Sequence, residues 1–256
     1  MHSSVRSYVQ KRVPGIADKV LAQVRPCVSA DSKKQPDDAI PPGRSKLGGA
    51  PDVPEGFEWP VHGDVPCWFI AQMNLGEAGR TWDFGLRLPR TGLLSFFYHD
   101  DGGPPGPGSR VFYFPQRGLK RIGAVVDERY KGIHDSHLYP RVLTLSEGYC
   151  IPHDLSQYNF TRVERAAAEG SKDERAAAVI GSGGYEGFDH FREMFNDRFA
   201  PHRHRFFGLP LYQTAPRGLQ VLATIGQMND RLNFYAPPAE AEALDFSGLR
   251  VTYECT

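Results

Sequence analysis

One order of features occurs twice in this chain, and it restricts the fold more than any single motif. In the first copy Gly49-Ala50-Pro51 leads, "WFIAQMNL" follows with Gln72 after its apolar residues, and "LLSFFY" comes next. In the second, Gly208-Leu209-Pro210 leads, "VLATIGQMN" carries Gln227, and "LNFYAPP" follows. Met-Asn sits directly after both glutamines. The spacings differ: 21 residues from Pro51 to Gln72 against 17 from Pro210 to Gln227. Two readings stand. One is a diverged duplication with insertions. The other is chance, since aromatic strands near a Gly-x-Pro are common. A duplication predicts two similar sheet halves about a pseudo-two-fold, with a cleft where they meet, and such interfaces often hold ligands.

Composition agrees with a sheet-rich domain. Aromatics make up 12% of the 256 residues, beside 27 Gly and 21 Pro. Phe and Tyr suit pleated, half-buried surfaces, and Gly and Pro mark many turns. The formal net charge is zero, which argues against a nucleic-acid partner. No apolar run approaches the ~18 residues of a membrane helix. The N-terminus "MHSSVRSYVQKRVPG" lacks the apolar segment of a secretory signal. Cys27, Cys67, Cys150 and Cys255 are scattered without a C-x-x-C. Buried thiols in a reducing cytoplasm, with no cofactor, are therefore expected.

The stretch "SKLGGAPDVPEGFEWP" (45–60) is not a phosphate-binding loop, because its Lys46 precedes the glycines. It reads as a structural corner, anchored by Trp59, that feeds the strand over 65–75. Further strands are predicted over 92–100 and 110–115, with the loop "DDGGPPGPGS" between them, and over 218–227, 231–238 and 248–256. "RIGAVVDERY" and "RVLTLSEGY" are weaker strand candidates. Residues 3–24 carry a helical stripe (Val5, Val9, Ile16, Val20, Val24) interrupted at Pro14. Residues 31–44 read as a linker or exposed arm. The Ala-rich 161–180 predicts a helix, or a pair broken at Gly170, opened by a Thr161–Glu164 capping box. Another helix is expected over 187–199. The fold class is α+β, with mostly antiparallel sheets in a pseudo-duplicated two-half core. The chain divides as one domain, 1–256: an N-terminal helix and linker (1–43), a first sheet half (44–150), a helical insert (151–200) and a second sheet half (201–256).

Few clusters point to chemistry. In a strand, His202 and His204 would share a face and could share a metal, with a third ligand from Asp100, His134 or His137. A basic patch or anion site is the alternative. Ser136 lies between His134-Asp135 and His137, but catalytic triads are assembled from separate segments, and "GSGG" (181–184) lacks the nucleophile-elbow frame. Asp100 and Asp101, closing a strand, bind a cation or start a turn. Gln72 and Gln227, at strand ends, either pin backbone or face a ligand.

Three segments together resemble the bacterial YwqG-like family, a domain of unknown function. They are "SKLGGAPDVPEGFEWP" with "CWFIAQMNL" and "LPRTGLLSFFYHD", then "HRFFGLPLYQ", then "RLNFYAPPAEAEALDFSGLRVTYECT". The resemblance runs from about residue 44 to the C-terminus. Members often carry Trp-Gly-Asp before the penultimate strand, where this chain has "GQMNDRLNFY". The resemblance implies an α+β fold and no accepted activity. Some members lie beside polymorphic toxin genes, which implies an immunity or partner-binding role for part of the family. The leading expectation is a non-catalytic, cytoplasmic protein-binding protein, in its most concrete form an immunity protein that neutralises a bacterial toxin. The alternative is an enzyme, or a small-ligand or metal binder, using the inter-half cleft.

Overall fold

The computed structural model describes residues 2–78, 86–99, 108–125, 139–169, 187–210, 215–227 and 230–255. Pro14 divides the first helical stripe into α1 (Ser3–Arg12) and α2 (Ala17–Gln23), joined by a single 3-10 turn. Val5, Val9, Ile16 and Val20 are all buried, as the stripe requires.

Fourteen strands follow among the described residues. In chain order they are β1 (Arg25–Lys34), β2 (Lys46–Leu47), β3 (Asp52–Val53), β4 (Val61–His62), β5 (Val65–Pro66), β6 (Trp68–Asn74), β7 (Leu93–Tyr98) and β8 (Arg110–Phe114). Next come β9 (Lys120–Arg121), β10 (Arg141–Cys150), β11 (His204–Phe206), β12 (Gln220–Gln227), β13 (Asp230–Ala236) and β14 (Arg250–Cys255). The further helices among the described residues are α3 (Arg162–Ala168), α4 (Gly187–Phe199) and α5 (Pro238–Glu242). The predicted capping box opens α3: the Thr161 amide donates to Glu164 Oε2 at 2.6 Å, and the Glu164 amide to Thr161 Oγ1 at 3.3 Å. Gly170 and the rest of that predicted helix lie outside the described residues, as do most of "DDGGPPGPGS" and the second half of "RIGAVVDERY".

Ten strands form one antiparallel sheet, ordered β14-β13-β12-β11-β1-β10-β2-β6-β7-β8, curled into a half-barrel. Two short ribbons, β3 with β9 and β4 with β5, stand beside it. The linker expectation over 31–44 is corrected at its start. Asp31 to Lys34 continue β1, paired in register with Thr144 to Arg141. Their side chains are mostly exposed, so no apolar alternation announces the strand.

The order reads symmetrically outward from the central β1–β10 pair. On one side lie β11, β12, β13 and β14, and on the other β2, β6, β7 and β8. The registers match residue for residue. Lys46 pairs Gln72 and Leu47 pairs Ala71; Arg205 pairs Thr224 and Phe206 pairs Ala223. The register of β6 shifts at Ile70 and that of β12 at Leu222. These carbonyls accept the corner amides of Gly48 (2.9 Å) and Phe207 (3.1 Å). Each corner holds two consecutive left-handed residues, Gly48 and Gly49 at φ 54° and 69°, Phe207 and Gly208 at φ 60° and 78°. Leu94-Ser95-Phe96-Phe97 then answers Leu232-Asn233-Phe234-Tyr235, and Arg110-Val111-Phe112-Tyr113 answers Arg250-Val251-Thr252-Tyr253. The duplication reading therefore holds. Its alignment changes, because the bulges set Gln72 opposite Thr224 in the repeat, not opposite Gln227.

The inner faces of the two halves pack on each other. Phe96 lies 5.9 Å from Phe206 and 5.2 Å from Phe234, ring to ring, across the pseudo-two-fold. Where a cleft was expected, a buried apolar core stands, and it extends from Val111 to Val251. On the opposite face α4 packs against β10. There Phe188 and Phe195 join Val5, Val9, Val20 and Tyr158 in a second core. Farther out, Phe57 and Trp59 cover Phe69, Phe97 and Phe112. The Trp59 indole N–H donates to the Cys67 carbonyl at 2.8 Å, which fixes the predicted anchor.

Candidate functional site

The two corners hold most of the buried charge among the described residues. In the first, Lys46 leaves β2 pointing to the outer face and is fully buried. Its Nζ donates to Asp37 Oδ1 at 2.5 Å and to the Ala50 carbonyl, and lies 5.7 Å above the Phe69 ring. Burial pulls the Lys46 amine below its ordinary range, against the Asp37 carboxylate that raises it. Asp37 also accepts the Ala50 amide at 2.6 Å. Gly49 is required here: its φ is 69°, and a Cβ would stand 2.7 Å from the Asp37 carboxylate.

Asp52 sits beside this pair, completely buried. It accepts from the Gly43 amide (2.9 Å), from Gln72 Nε2 (2.6 Å), and from Arg121 through Nε (2.9 Å) and a terminal nitrogen (3.1 Å). Arg121 reaches on to the carbonyls of Asp37 and Ile40. Two cations and two carboxylates thus close on one another, which is the condition under which buried ions are tolerated. Gln72 completes the closure: its Oε1 accepts the Asp52 amide at 3.0 Å and its Nε2 also donates to the Arg44 carbonyl at 2.8 Å. Of the two roles expected for Gln72, pinning backbone is the one observed.

The second corner keeps the frame and changes the chemistry. Arg205 takes the place of Lys46, and its terminal nitrogen donates to the Ala200 carbonyl at 2.9 Å. Its Nε is buried with no hydrogen-bond partner among the described residues. Leu209, the counterpart of Ala50, donates its amide to Cys150 Sγ at 3.3 Å. Cys27 is the neighbouring thiol, and both sulfurs are buried with Ala200. Hydrogen bonding to Cys150 and burial push the Cys27 thiol well up. The same hydrogen bond holds Cys150 down, helped by Arg205, the Leu209 amide and Arg25, against burial.

The remaining expected site residues that are described form no common cluster. Strand β11 begins at His204, so strand alternation does not pair it with His202. His204 is buried, with Nε2 3.1 Å from Ser32 Oγ. His202 is partly exposed, with Nδ1 3.8 Å from Asp31. Gln227 ends β12 opposite Asp230. Asp100, His134 and His137 lie outside the described residues. Among the described residues no group of three His, Cys, Asp or Glu is placed to hold a metal ion. Sequence reasoning missed Asp37, Asp52 and Arg121, and it missed the thiol pair. One signal was present: setting "KLGGAP" on "RFFGLP" equates Lys46 with Arg205.

No helix among the described residues is long and apolar enough to cross a membrane. None of the curated proteins compared with the chain shows significant similarity to it. A family model does match over residues 45–255, which spans both corner turns and the whole duplicated sheet apart from β1, and leaves Asp37 of the first corner outside. The chain therefore belongs to the family described as a domain of unknown function, DUF1963.

Proposed function

We propose that the chain is a non-catalytic binding protein that recognises a protein partner. One observation carries this reading: Lys46, Asp37, Asp52, Gln72 and Arg121 are bonded to one another and to backbone. Such a cluster makes a rigid platform, and recognition then falls to the loops that the platform presents. Bacterial, YwqG-like membership and a cytoplasmic setting belong to the same proposal. Cys27, Cys67 and Cys150, all buried and unbridged, fit a reducing compartment. Neutralisation of a toxin is its most concrete form, because a toxin inhibitor needs a complementary surface rather than a reactive centre.

Affinity capture from the native host, followed by reconstitution from purified components, tests it. A stoichiometric complex with a protein whose toxicity the chain relieves is the expected result. A stoichiometric bound metal that is lost in His204→Ala would overturn the proposal in favour of the enzyme or metal-binding alternative.

A further inference from the structure

We infer that Cys27 and Cys150 form an oxidisable dithiol site that takes hydrogen peroxide, with Cys150 as the attacking sulfur and Arg205 as its counter-ion. The argument begins with the duplication. Lys46 pairs Val142 of β10, and Arg205 pairs Ser29 of β1. Asp37 lies eight residues beyond Ser29, and Cys150 lies eight beyond Val142. The repeat thus sets Cys150 on the position of Asp37. The contacts agree. Ala50 donates its amide to the Asp37 carboxylate, and Leu209 donates its amide to the Cys150 sulfur. A Cβ on Gly49 would strike the Asp37 carboxylate at 2.7 Å, and one on Gly208 would strike Cys150 Sγ at 2.9 Å. Each corner is a socket made of one cation, one amide and one left-handed glycine. In the first half the socket holds an anion.

Arg205 supplies the second, independent observation. It is 2% exposed, its Nε has no hydrogen-bond partner among the described residues, and its one hydrogen bond goes to a carbonyl. A buried guanidinium without a counter-charge is costly, and Arg205 acts electrostatically on both sulfurs. Thiolate at Cys150 supplies the missing charge. As a thiol, Cys150 donates instead to the Arg25 carbonyl at 3.5 Å and leaves Arg205 uncompensated. The Cys27 thiol, packed with Cys150 in the same buried cluster, is the resolving group.

The chemistry balances in two steps. Cys150 thiolate attacks one peroxide oxygen, the O–O bond breaks, and hydroxide leaves, giving Cys150 sulfenic acid. The Cys27 sulfur then attacks the sulfenic sulfur; its proton and the departing hydroxyl form water, and the S–S bond closes. Two thiol sulfurs are oxidised by two electrons and the peroxide is reduced. The packing selects the oxidant by size. Both sulfurs are buried, with Ala200 and Leu209 packed on them and no room for a Cβ at Gly208, so the expected oxidant is the smallest peroxide, hydrogen peroxide, and not a bulky alkyl hydroperoxide.

Cys67 is an internal control. It is also buried, and burial pushes its thiol up to about 11. The experiment treats the native chain with hydrogen peroxide or tert-butyl hydroperoxide and maps its peptides without reduction. A Cys27–Cys150 link is expected with hydrogen peroxide, formed at least about tenfold faster than Cys67 is oxidised, and little link with the bulky oxidant. Cys150→Asp is expected to fold with a thermal midpoint near that of Cys150→Ser, since the equivalent socket already holds Asp37. A missing link, equal oxidation of Cys67, or a Cys150→Asp chain that unfolds while Cys150→Ser stays folded would each overturn the inference.

Discussion

The inner and outer faces of the duplicated sheet have diverged to different extents. On the inner face the halves nearly agree: Val111 answers Val251, Tyr113 answers Tyr253, Phe96 answers Phe234, Leu94 answers Leu232 and Ala71 answers Ala223. On the outer face the equivalent positions differ: Phe112 corresponds to Thr252, Phe114 to Glu254, and Gln72 to Thr224. The inner residues of both halves share one core, in which Phe96 packs on its own copy Phe234, so a change in one half is felt by the other. The outer residues answer to whatever covers each half. Over the first half that is an aromatic roof, Phe57 and Trp59. In the second half it is a hydrogen-bonded row, in which Thr224 Oγ1 donates to Asn233 Oδ1 at 2.7 Å and Asn233 Nδ2 to Glu254 Oε1 at 2.7 Å. A duplicated fold keeps its copies alike where they touch and frees them where they do not.

The sharpest test of that contrast is the pair Phe96→Ala and Phe234→Ala. Both rings are fully buried, and each truncation should cost about 3–5 kcal/mol in urea unfolding. Because the rings touch at 5.2 Å, the double variant should cost less than the sum. Additive costs, or one large and one negligible, would break the claim that the halves are equal partners in one core.

The corners come next in size. Asp37→Ala removes the carboxylate from fully buried Lys46 and should cost about 3 kcal/mol, the usual effect of leaving a buried charge without its partner. Gly49→Ala and Gly208→Ala should each cost on the order of 1–3 kcal/mol, since both sit at positive φ with a neighbour under 3 Å from the new Cβ. Similar losses in denaturant midpoint would confirm that the corners are one device used twice. A tolerated Gly208→Ala would mean that the thiol corner is looser than the carboxylate corner.

Much of the fold was legible in the sequence because its aromatic strands are bounded by Gly and Pro, and the order of features betrayed the repeat. Exact equivalences were not legible. The string Gln-Met-Asn occurs at both Gln72 and Gln227 and suggests that they correspond, whereas the bulges at Ile70 and Leu222 make Thr224 the counterpart of Gln72. The end of β1 was read as a linker because Asp31 to Lys34 are polar and lie at the half-exposed end of a central strand. The first corner was invisible for a different reason. Asp37, Lys46, Asp52, Gln72 and Arg121 are spread over the first half of the chain, and only the pairing of β2 with β6 and of β3 with β9 brings them together.

The smallest expected effect tests the outer face. Glu254 is buried where the first half has Phe114. Burial pushes its carboxyl above the ordinary range, although Arg231 and the Asn233 amide pull it back. The sign follows from proton counting. Between pH 4.5 and the raised native value the folded chain binds more protons at Glu254 than the unfolded chain does. Stability from this group therefore falls as pH rises through that window, and the full penalty is present above the raised native value. Glu254→Gln keeps an oxygen to accept from Asn233 and removes the charge. It should stabilise the chain at pH 7 by on the order of 0.5 kcal/mol, and the gain should vanish below pH 4.5, where the carboxyl is protonated in both states. A loss at pH 7 would mean that the charge of Glu254 is needed by Arg231. The polar row would then be an ion pair in its own right, comparable to the first corner, rather than a relaxed copy of an aromatic face.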